Sequence, residues 1–176
     1  RFEELPQNIR NALVATEDAR YEEHSGIDLR ALVRAITKLG SDGGGSTISQ
    51  QLAKNLFTIK EEEYRKLKGT EFEYEPTLLE KILPKRINQK LKEWVIAVQL
   101  EKRYTKEEVF TMYLNTVPFN DGAFGIKSAA RIYFNKLPID LNIEESAMLV
   151  GMLKGPSLYN PRKNIDNRAW KRRNVV

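Results

Sequence analysis

The sequence contains no cysteine and a single histidine, His24. Without cysteine there can be no disulfide, thiolate nucleophile or Cys-type zinc site, and one histidine argues against a multi-histidine metal centre. No apolar run approaches the roughly 18–20 residues of a membrane-spanning helix. The alternation of apolar and polar residues that is typical of strands is nearly absent, so we predict a mainly α fold.

The composition is that of one globular domain: 176 residues, of which 41% are hydrophobic. The net charge of +5 suits an anionic partner such as phosphate, an acidic membrane surface or nucleic acid. Because the basic residues are spread along the chain and form no known nucleic-acid motif, we predict that nucleic acid is not the partner. The chain begins at Arg1 and stops within a predicted helix, so we expect one domain, 1–176, of a longer protein.

Helical spacing of apolar residues and capping patterns predict most of the elements. Thr105 with Glu108, and Asn142 with Glu145, form capping boxes. Predicted helices cover 5–24, 28–39, 47–56, 88–103, 105–114, 125–134 and 142–154, and a last one is capped by Asp166. In the helix over 88–103, the predicted buried stripe consists of Leu91, Trp94, Val95 and Val98.

The stretch over residues 43–55, GGGSTISQQLAKN, is the centre of the sequence. Ser46 or Thr47 caps a helix whose apolar residues Ile48, Leu52 and Leu56 face a core, which leaves Gln50, Gln51, Lys54 and Asn55 for its other faces. A helix N-terminus behind a glycine-rich turn is a natural anion site. It is also an ordinary structural feature, and the spacing does not fit a nucleotide P-loop.

A possible general base lies in the first predicted helix. Glu17, Tyr21 and His24 fall at positions i, i+4 and i+7, so they would share one helical face, with Asp18 beside them. A carboxylate against an aromatic ring is partly desolvated, which favours a role as base. The plain alternative is a solvated acidic pair on an amphipathic helix.

A second carboxylate, Glu93, lies three residues after Lys90 on the long helix. Such a pair is ordinarily a solvated salt bridge of little energetic value.

These segments together resemble the family 51 glycosyltransferases, the peptidoglycan polymerase domains of class A penicillin-binding proteins and of monofunctional transglycosylases. The string GGSTISQQLAKN is similar to the second signature of that family, and the segment that starts at Glu17-Asp18 to the first. The third signature is matched by Lys90 and Glu93. Residues 113–134 resemble the fourth and 148–161 the fifth; we expect both to be structural.

The resemblance implies a lysozyme-like fold with a large helical head and a small mobile jaw. It implies that Glu17 is the catalytic base and Glu93 the second catalytic carboxylate. The substrate-binding residues that it implies, with the nearby cations, are Asp18, His24, Ser46, Thr47, Gln50, Gln51, Lys54, Asn55, Lys85, Arg86 and Lys90. No cofactor is required, although Glu93 could hold a divalent cation, Mg²⁺ or Mn²⁺, against a diphosphate.

The implied reaction is the polymerisation of lipid II into β-1,4 glycan strands, with inversion and release of undecaprenyl diphosphate. The implied partners are lipid II, the growing lipid-linked glycan and the bacterial membrane surface, and a C-terminal transpeptidase domain could follow in the parent chain. We expect the parent to be membrane-anchored at the outer face of the cytoplasmic membrane.

The sequence departs from the family at several places. Tyr21 stands where phenylalanine is usual, Gln89 replaces an arginine for which Lys85, Arg86 or Lys92 could compensate, and Asn135 replaces a glycine. The segment at about 57–86 is longer than expected and corresponds to the jaw. We predict that its apolar residues, including Phe57, Phe72 and Leu78, contact the membrane.

Two other functions are compatible with parts of this pattern. A muramidase or lytic transglycosylase acts on the same polymer, but it needs one acidic glutamate and has no GSTIxQQ segment. A non-catalytic module that binds lipid II or the cell wall would bind the lipid diphosphate without turnover.

Overall fold

The fold is described by a computed structural model, which covers residues 5–37, 45–58, 84–163 and 165–176. Within these ranges the chain is mainly α, as predicted, and the only extended pairing is an isolated bridge between Pro118 and Phe124. The predicted jaw at 57–86 lies largely outside the described residues, as do Phe72, Leu78 and the glycines at 43–44.

The helices that the structure describes are α1 (Gln7–Glu17), α2 (Leu29–Thr37), α3 (Ile48–Ala53), α4 (Lys85–Arg103), α5 (Lys106–Thr116), α6 (Gly125–Phe134), α7 (Ile143–Leu153) and α8 (Arg168–Arg173). Short 3₁₀ turns cover Tyr21–Glu23, Pro138–Asp140 and Ile165–Asn167, and α3 continues into a π turn at Lys54–Thr58. None of these helices is long and apolar enough to cross a membrane.

The short helix α3 lies at the centre of the packing. It contacts both α4 and α5, while α1 packs on α7 and α7 on α8. Ile48, Leu52 and Ala53 are fully buried, and Leu56 is partly buried against the same core. The predicted apolar face of this segment is therefore confirmed, and it fixes the polar residues of α3 relative to α1 and α4.

Local capping predictions hold for two helices and in part for a third. The capping boxes of Thr105 with Glu108 and of Asn142 with Glu145 are both complete. In α3, the Oγ1 atom of Thr47 accepts a hydrogen bond from the Gln50 N–H at 3.1 Å. Gln50 itself is buried, with 2% of its surface exposed, rather than lying on an outer face as predicted.

The predicted helix over 5–24 is confirmed over Gln7–Glu17, but its continuation to residue 24 is wrong, because Asp18 has φ −155° and ψ 70°. The Asp18 carboxylate turns inward, where it accepts hydrogen bonds from the Ile48 N–H at 3.0 Å and from His24 Nε2 at 2.9 Å. Tyr21 is buried in the core. Glu17, Tyr21 and His24 therefore do not share a helical face.

The buried stripe predicted for the long helix is also wrong. Leu91 and Val95 are 39% and 63% exposed, whereas the buried residues of α4 are Glu93, Ala97 and Leu100. Close packing explains this choice of face, because Gly26 lies against the backbone of Ala97. A Cβ atom on Gly26 would lie 2.8 Å from the Ala97 carbonyl carbon, and the φ of +91° also favours glycine there.

The structure also differs from prediction on α2 and at Asp166, and it accounts for Asn135 in place of glycine. On α2, Leu29 and Val33 of the predicted apolar side are exposed. Asp166 has φ 57° and does not cap the last helix, which begins after Asn167. Asn135 ends α6 in the left-handed conformation with φ 56°, which only glycine and asparagine adopt readily at this position, so it can replace the usual glycine.

Candidate active site

A cavity of about 770 Å³ opens between the N-terminal helices and the C-terminal end of the chain. The sequence-predicted residues that line it are Glu17, Ser46, Gln50, Gln51, Lys54, Asn55, Lys90 and Glu93. They come from four places: the end of α1, the turn before α3, α3 with its π turn, and the first half of α4. The packing of α3 on α4 thus brings both predicted carboxylates to one cavity.

Glu17 lies in this cavity next to a neutral hydrogen-bond donor. Gln51 Nε2 donates to Glu17 Oε2 at 3.1 Å. The Gln51 carbonyl oxygen accepts in turn from the hydroxyl of Tyr113 at 2.9 Å. A half-buried carboxylate held by an amide, and open to the cavity on its other side, has the arrangement that a general base requires.

Glu93 has a different environment. Its side chain is 6% exposed, and Glu93 Oε2 accepts a hydrogen bond from Lys90 Nζ at 2.9 Å. The same ammonium group donates to Ser46 Oγ at 2.8 Å. Lys90 therefore connects the carboxylate of α4 to the turn before α3 through two charge-assisted hydrogen bonds.

Glu93 is the carboxylate predicted to hold a divalent cation, and such a site needs further ligands around it. Among the residues that the structure describes, no group of three or more His, Asp or Glu side chains could hold a metal. Glu93 already accepts from Lys90. The described side chains thus do not form a metal site of their own.

Three predicted substrate ligands have partners inside the protein instead. Asp18 and His24 bind each other, and His24 is packed edge-on to Tyr21. Thr47 is buried, and its hydroxyl donates to the Gly26 carbonyl at 2.7 Å. None of the three lines the cavity. Asp18 and Thr47 instead hold the start of α3, through hydrogen bonds to the N–H groups of Ile48 and Gln50.

Lys85 and Arg86 do not line the cavity either; both are exposed in the first turn of α4. Lys92 is likewise exposed and outside the lining, so none of the three replaces the missing arginine at Gln89 within the cavity. Tyr21, the other departure from the family, uses its additional hydroxyl to donate to the Lys106 carbonyl at 2.8 Å.

Sequence reasoning missed part of the cavity wall. Lys154 and Arg172 add two cations, from the end of α7 and from α8. The remaining unpredicted lining residues are Ala15, Thr16, Val117, Pro118, Leu153, Pro156, Val175 and Val176. Lys154 belongs to a segment that we expected to be only structural. The only sequence feature that could have indicated a binding role is the position of this lysine, directly before the turn residues Gly155-Pro156.

A second group of polar residues that was not predicted lies outside the cavity and centres on Glu101. Glu101 accepts hydrogen bonds from the Ser49 hydroxyl and from Lys106 Nζ, the latter at 2.7 Å, and its Oε1 lies 4.0 Å from His24 Nδ1. Ser49 is buried, and the side chain of Glu101 is 4% exposed. This network joins α3, α4 and the start of α5.

A salt bridge between Arg20 and Asp28 lies at the start of α2. Arg20 contacts both oxygens of Asp28, at 2.5 and 2.7 Å, and the Ala31 N–H donates to Asp28 at 2.9 Å. Burial alone raises the pKa of Asp28, but these hydrogen bonds outweigh it and hold the pKa below its usual value. Asp28 thus begins α2 as predicted.

The chain is similar to known proteins over its whole length. The whole chain, residues 1–176, matches the transglycosylase family. It is 34% identical over 173 residues to penicillin-binding protein 2a of Streptococcus pneumoniae, and 35% identical over 179 residues to penicillin-binding protein 1A of Aquifex aeolicus. Penicillin-binding protein 1F of Bacillus subtilis is 37% identical over 177 residues.

These alignments cover 98–99% of this chain but only 20–22% of each relative. The chain therefore spans about a fifth of the length of the curated relatives that it matches. The match over all 176 residues shows that the chain belongs to the transglycosylase family, the family 51 glycosyltransferases.

Proposed function

We propose that this domain is a peptidoglycan glycosyltransferase that polymerises lipid II into β-1,4 glycan strands. The observation that carries the proposal is the pair of carboxylates in one cavity with opposite surroundings. Glu17 has a neutral amide beside it, and Glu93 has an ammonium group. One is suited to accept a proton and the other to organise positive charge near a leaving diphosphate.

In the proposed reaction the 4-hydroxyl of the acceptor sugar attacks C1 of the lipid-linked glycan. The new C1–O4 bond forms as the bond from C1 to the diphosphate oxygen breaks, and the diphosphate leaves with the electron pair. Glu17 takes the hydroxyl proton. The configuration at C1 inverts, because attack comes from the face opposite the leaving group.

Positive charge in the cavity stabilises the leaving diphosphate. Lys54 and Lys90 supply it from α3 and α4, and Ser46 orients Lys90. Because acceptor and donor each carry a diphosphate, the reaction benefits from a second set of cations. Lys154 and Arg172, on a different wall of the cavity, suit that purpose.

We also propose that the domain works at the outer face of the bacterial cytoplasmic membrane, where its lipid-linked substrates are. Ile87, Leu91 and Val95 recur every four residues on α4, and all three are exposed. Phe57, predicted to contact the membrane, is 48% exposed. Lys85 and Arg86 begin the same helix, where their charges suit anionic headgroups. A transpeptidase domain elsewhere in the parent chain fits the greater length of the relatives.

The proposal is tested by incubating the protein with fluorescent lipid II in detergent and separating the products by size. We expect glycan strands that a muramidase digests back to disaccharide units. Cleavage of preformed strands without polymer synthesis would instead identify a lytic enzyme. Binding of lipid II without any product would identify a binding module.

A further inference from the structure

The hydrogen bonds around Glu17 form a chain that continues into the core. The Tyr113 hydroxyl is bonded to the Gln51 side-chain carbonyl, and the Gln51 amide nitrogen is bonded to Glu17. Tyr113 is fully buried and does not line the cavity. It therefore cannot touch substrate, but it contacts a residue that touches the proposed base.

The direction of this chain follows from the chemistry of its members. An ionised carboxylate only accepts hydrogen bonds, so the group that Gln51 presents to Glu17 must be its NH₂. The Gln51 carbonyl oxygen then faces Tyr113, and the phenol must donate. Burial, and secondarily the charge of Glu17, raise the pKa of Tyr113 far above its usual range, so the hydroxyl keeps its proton.

We propose that Tyr113 is a positioning residue for the transferase reaction, one that fixes the orientation of the Gln51 amide and through it the carboxylate of Glu17. Without the hydroxyl, both orientations of the amide become accessible. In the reversed orientation a carbonyl oxygen faces the carboxylate, and Glu17 moves away from its productive position. The role in catalysis rests on the proposed function, whereas the effect on the amide does not.

The test compares Tyr113→Phe with a matched control, Tyr133→Phe. Tyr133 also donates from its hydroxyl, to the Phe119 carbonyl at 2.8 Å, but Phe119, unlike Gln51, does not line the cavity. We expect Tyr113→Phe to lower kcat for lipid II polymerisation about ten-fold, the equivalent of one hydrogen bond, with KM within about two-fold. Tyr133→Phe should leave kcat near that of the wild type.

A double-mutant cycle separates positioning from packing. If Tyr113 acts through Gln51, adding Tyr113→Phe to a Gln51→Met variant should lower kcat no further. An equal fall in both backgrounds, or an equal fall in the Tyr133→Phe control, would overturn the proposal. Thermal denaturation of each variant confirms that the compared proteins are folded.

A measurement without turnover distinguishes failure of this proposal from failure of the proposed function. The side-chain amide of Gln51 is followed by ¹H–¹⁵N NMR and assigned by its loss in Gln51→Met. We expect slow hydrogen exchange in the wild type and much faster exchange in Tyr113→Phe. Unchanged exchange would refute the role of Tyr113. A wild type that fails to polymerise lipid II would refute the proposed function while leaving the NMR result decisive for the hydrogen-bond chain.

Discussion

The two carboxylates of the cavity are held in contrasting ways. Glu17 is half-buried at the end of α1 and is bonded to the neutral amide of Gln51. Glu93 is buried in the first half of α4 and is bonded to the ammonium group of Lys90. Glu17 therefore has a neutral donor as its partner and Glu93 has a cation. The same side chain can thus serve as base in one position and as an organiser of charge in the other.

The supporting residues differ in the same way. The donor to Glu17 is bonded to a hydroxyl from the core, and Asp18, His24 and Glu101, which bond to other parts of the protein, lie outside the cavity. The charged partner of Glu93 lies in the cavity itself. The residue that holds the donor to Glu17 thus lies in the core, whereas the residue that holds Glu93 lines the cavity.

The largest effect is expected from Glu17→Gln, which keeps the shape of the side chain but removes the base. General-base catalysis is worth about a hundred- to ten-thousand-fold in rate, and we expect kcat for lipid II polymerisation to fall by that factor. Glu144→Gln, an exposed glutamate in the first turn of α7, is the matched control. A Glu17→Gln variant that retained a tenth of the wild-type kcat would contradict the assignment of Glu17 as the base.

A smaller effect is expected from Glu93→Gln, because it disturbs charge rather than proton transfer. We predict a decrease in kcat/KM of about ten-fold, mostly through KM, on the scale of one charge-assisted hydrogen bond. Lys90→Met should in addition lower the free energy of unfolding, because it leaves the buried Glu93 carboxylate without its cation.

Denaturant unfolding of Lys90→Met, Glu93→Gln and the double variant checks the second half of this prediction. The double variant should be more stable than Lys90→Met alone. Strict additivity would show that the ion pair contributes nothing to stability.

The next largest effect is expected from Glu101→Gln. This substitution tests whether the group of polar residues around Glu101 contributes to stability rather than to catalysis. Lys106 and the Ser49 hydroxyl would lose a charged acceptor, so we expect the free energy of unfolding to fall by about 1–3 kcal/mol. Well below the melting temperature, kcat should change less than in Tyr113→Phe. Glu107→Gln, a neighbouring exposed residue, provides the control for loss of charge. A loss of kcat as large as that of Glu17→Gln would place Glu101 in the reaction.

Sequence reasoning succeeded where the determining contacts are local. The capping boxes of α5 and α7 join residues only three positions apart, and the apolar face of α3 follows from spacing within one segment. The two carboxylates and the amides of α3 were identified because their segments resemble family signatures. Their meeting in one cavity then follows from the packing of α3 on α4.

The failures involve contacts between distant segments. The end of α1 at Asp18 depends on the Ile48 N–H, which lies 30 residues further along the chain. Tyr113 is bonded to Gln51 across 62 positions, and Glu101 to Ser49 across 52. The spacing of residues within one helix carries no information about such distant partners. For this reason the predicted buried face of the long helix is wrong, and neither the Tyr113 hydrogen bond nor the Glu101 group was predicted.

The most direct test of different roles for the two carboxylates is the affinity for lipid II, measured for Glu17→Gln and Glu93→Gln side by side. Fluorescence anisotropy of labelled lipid II in detergent reports binding without requiring turnover. The proposed roles predict a Kd for Glu17→Gln close to that of the wild type and a weaker Kd for Glu93→Gln. Weaker binding by Glu17→Gln, with unchanged binding by Glu93→Gln, would contradict them.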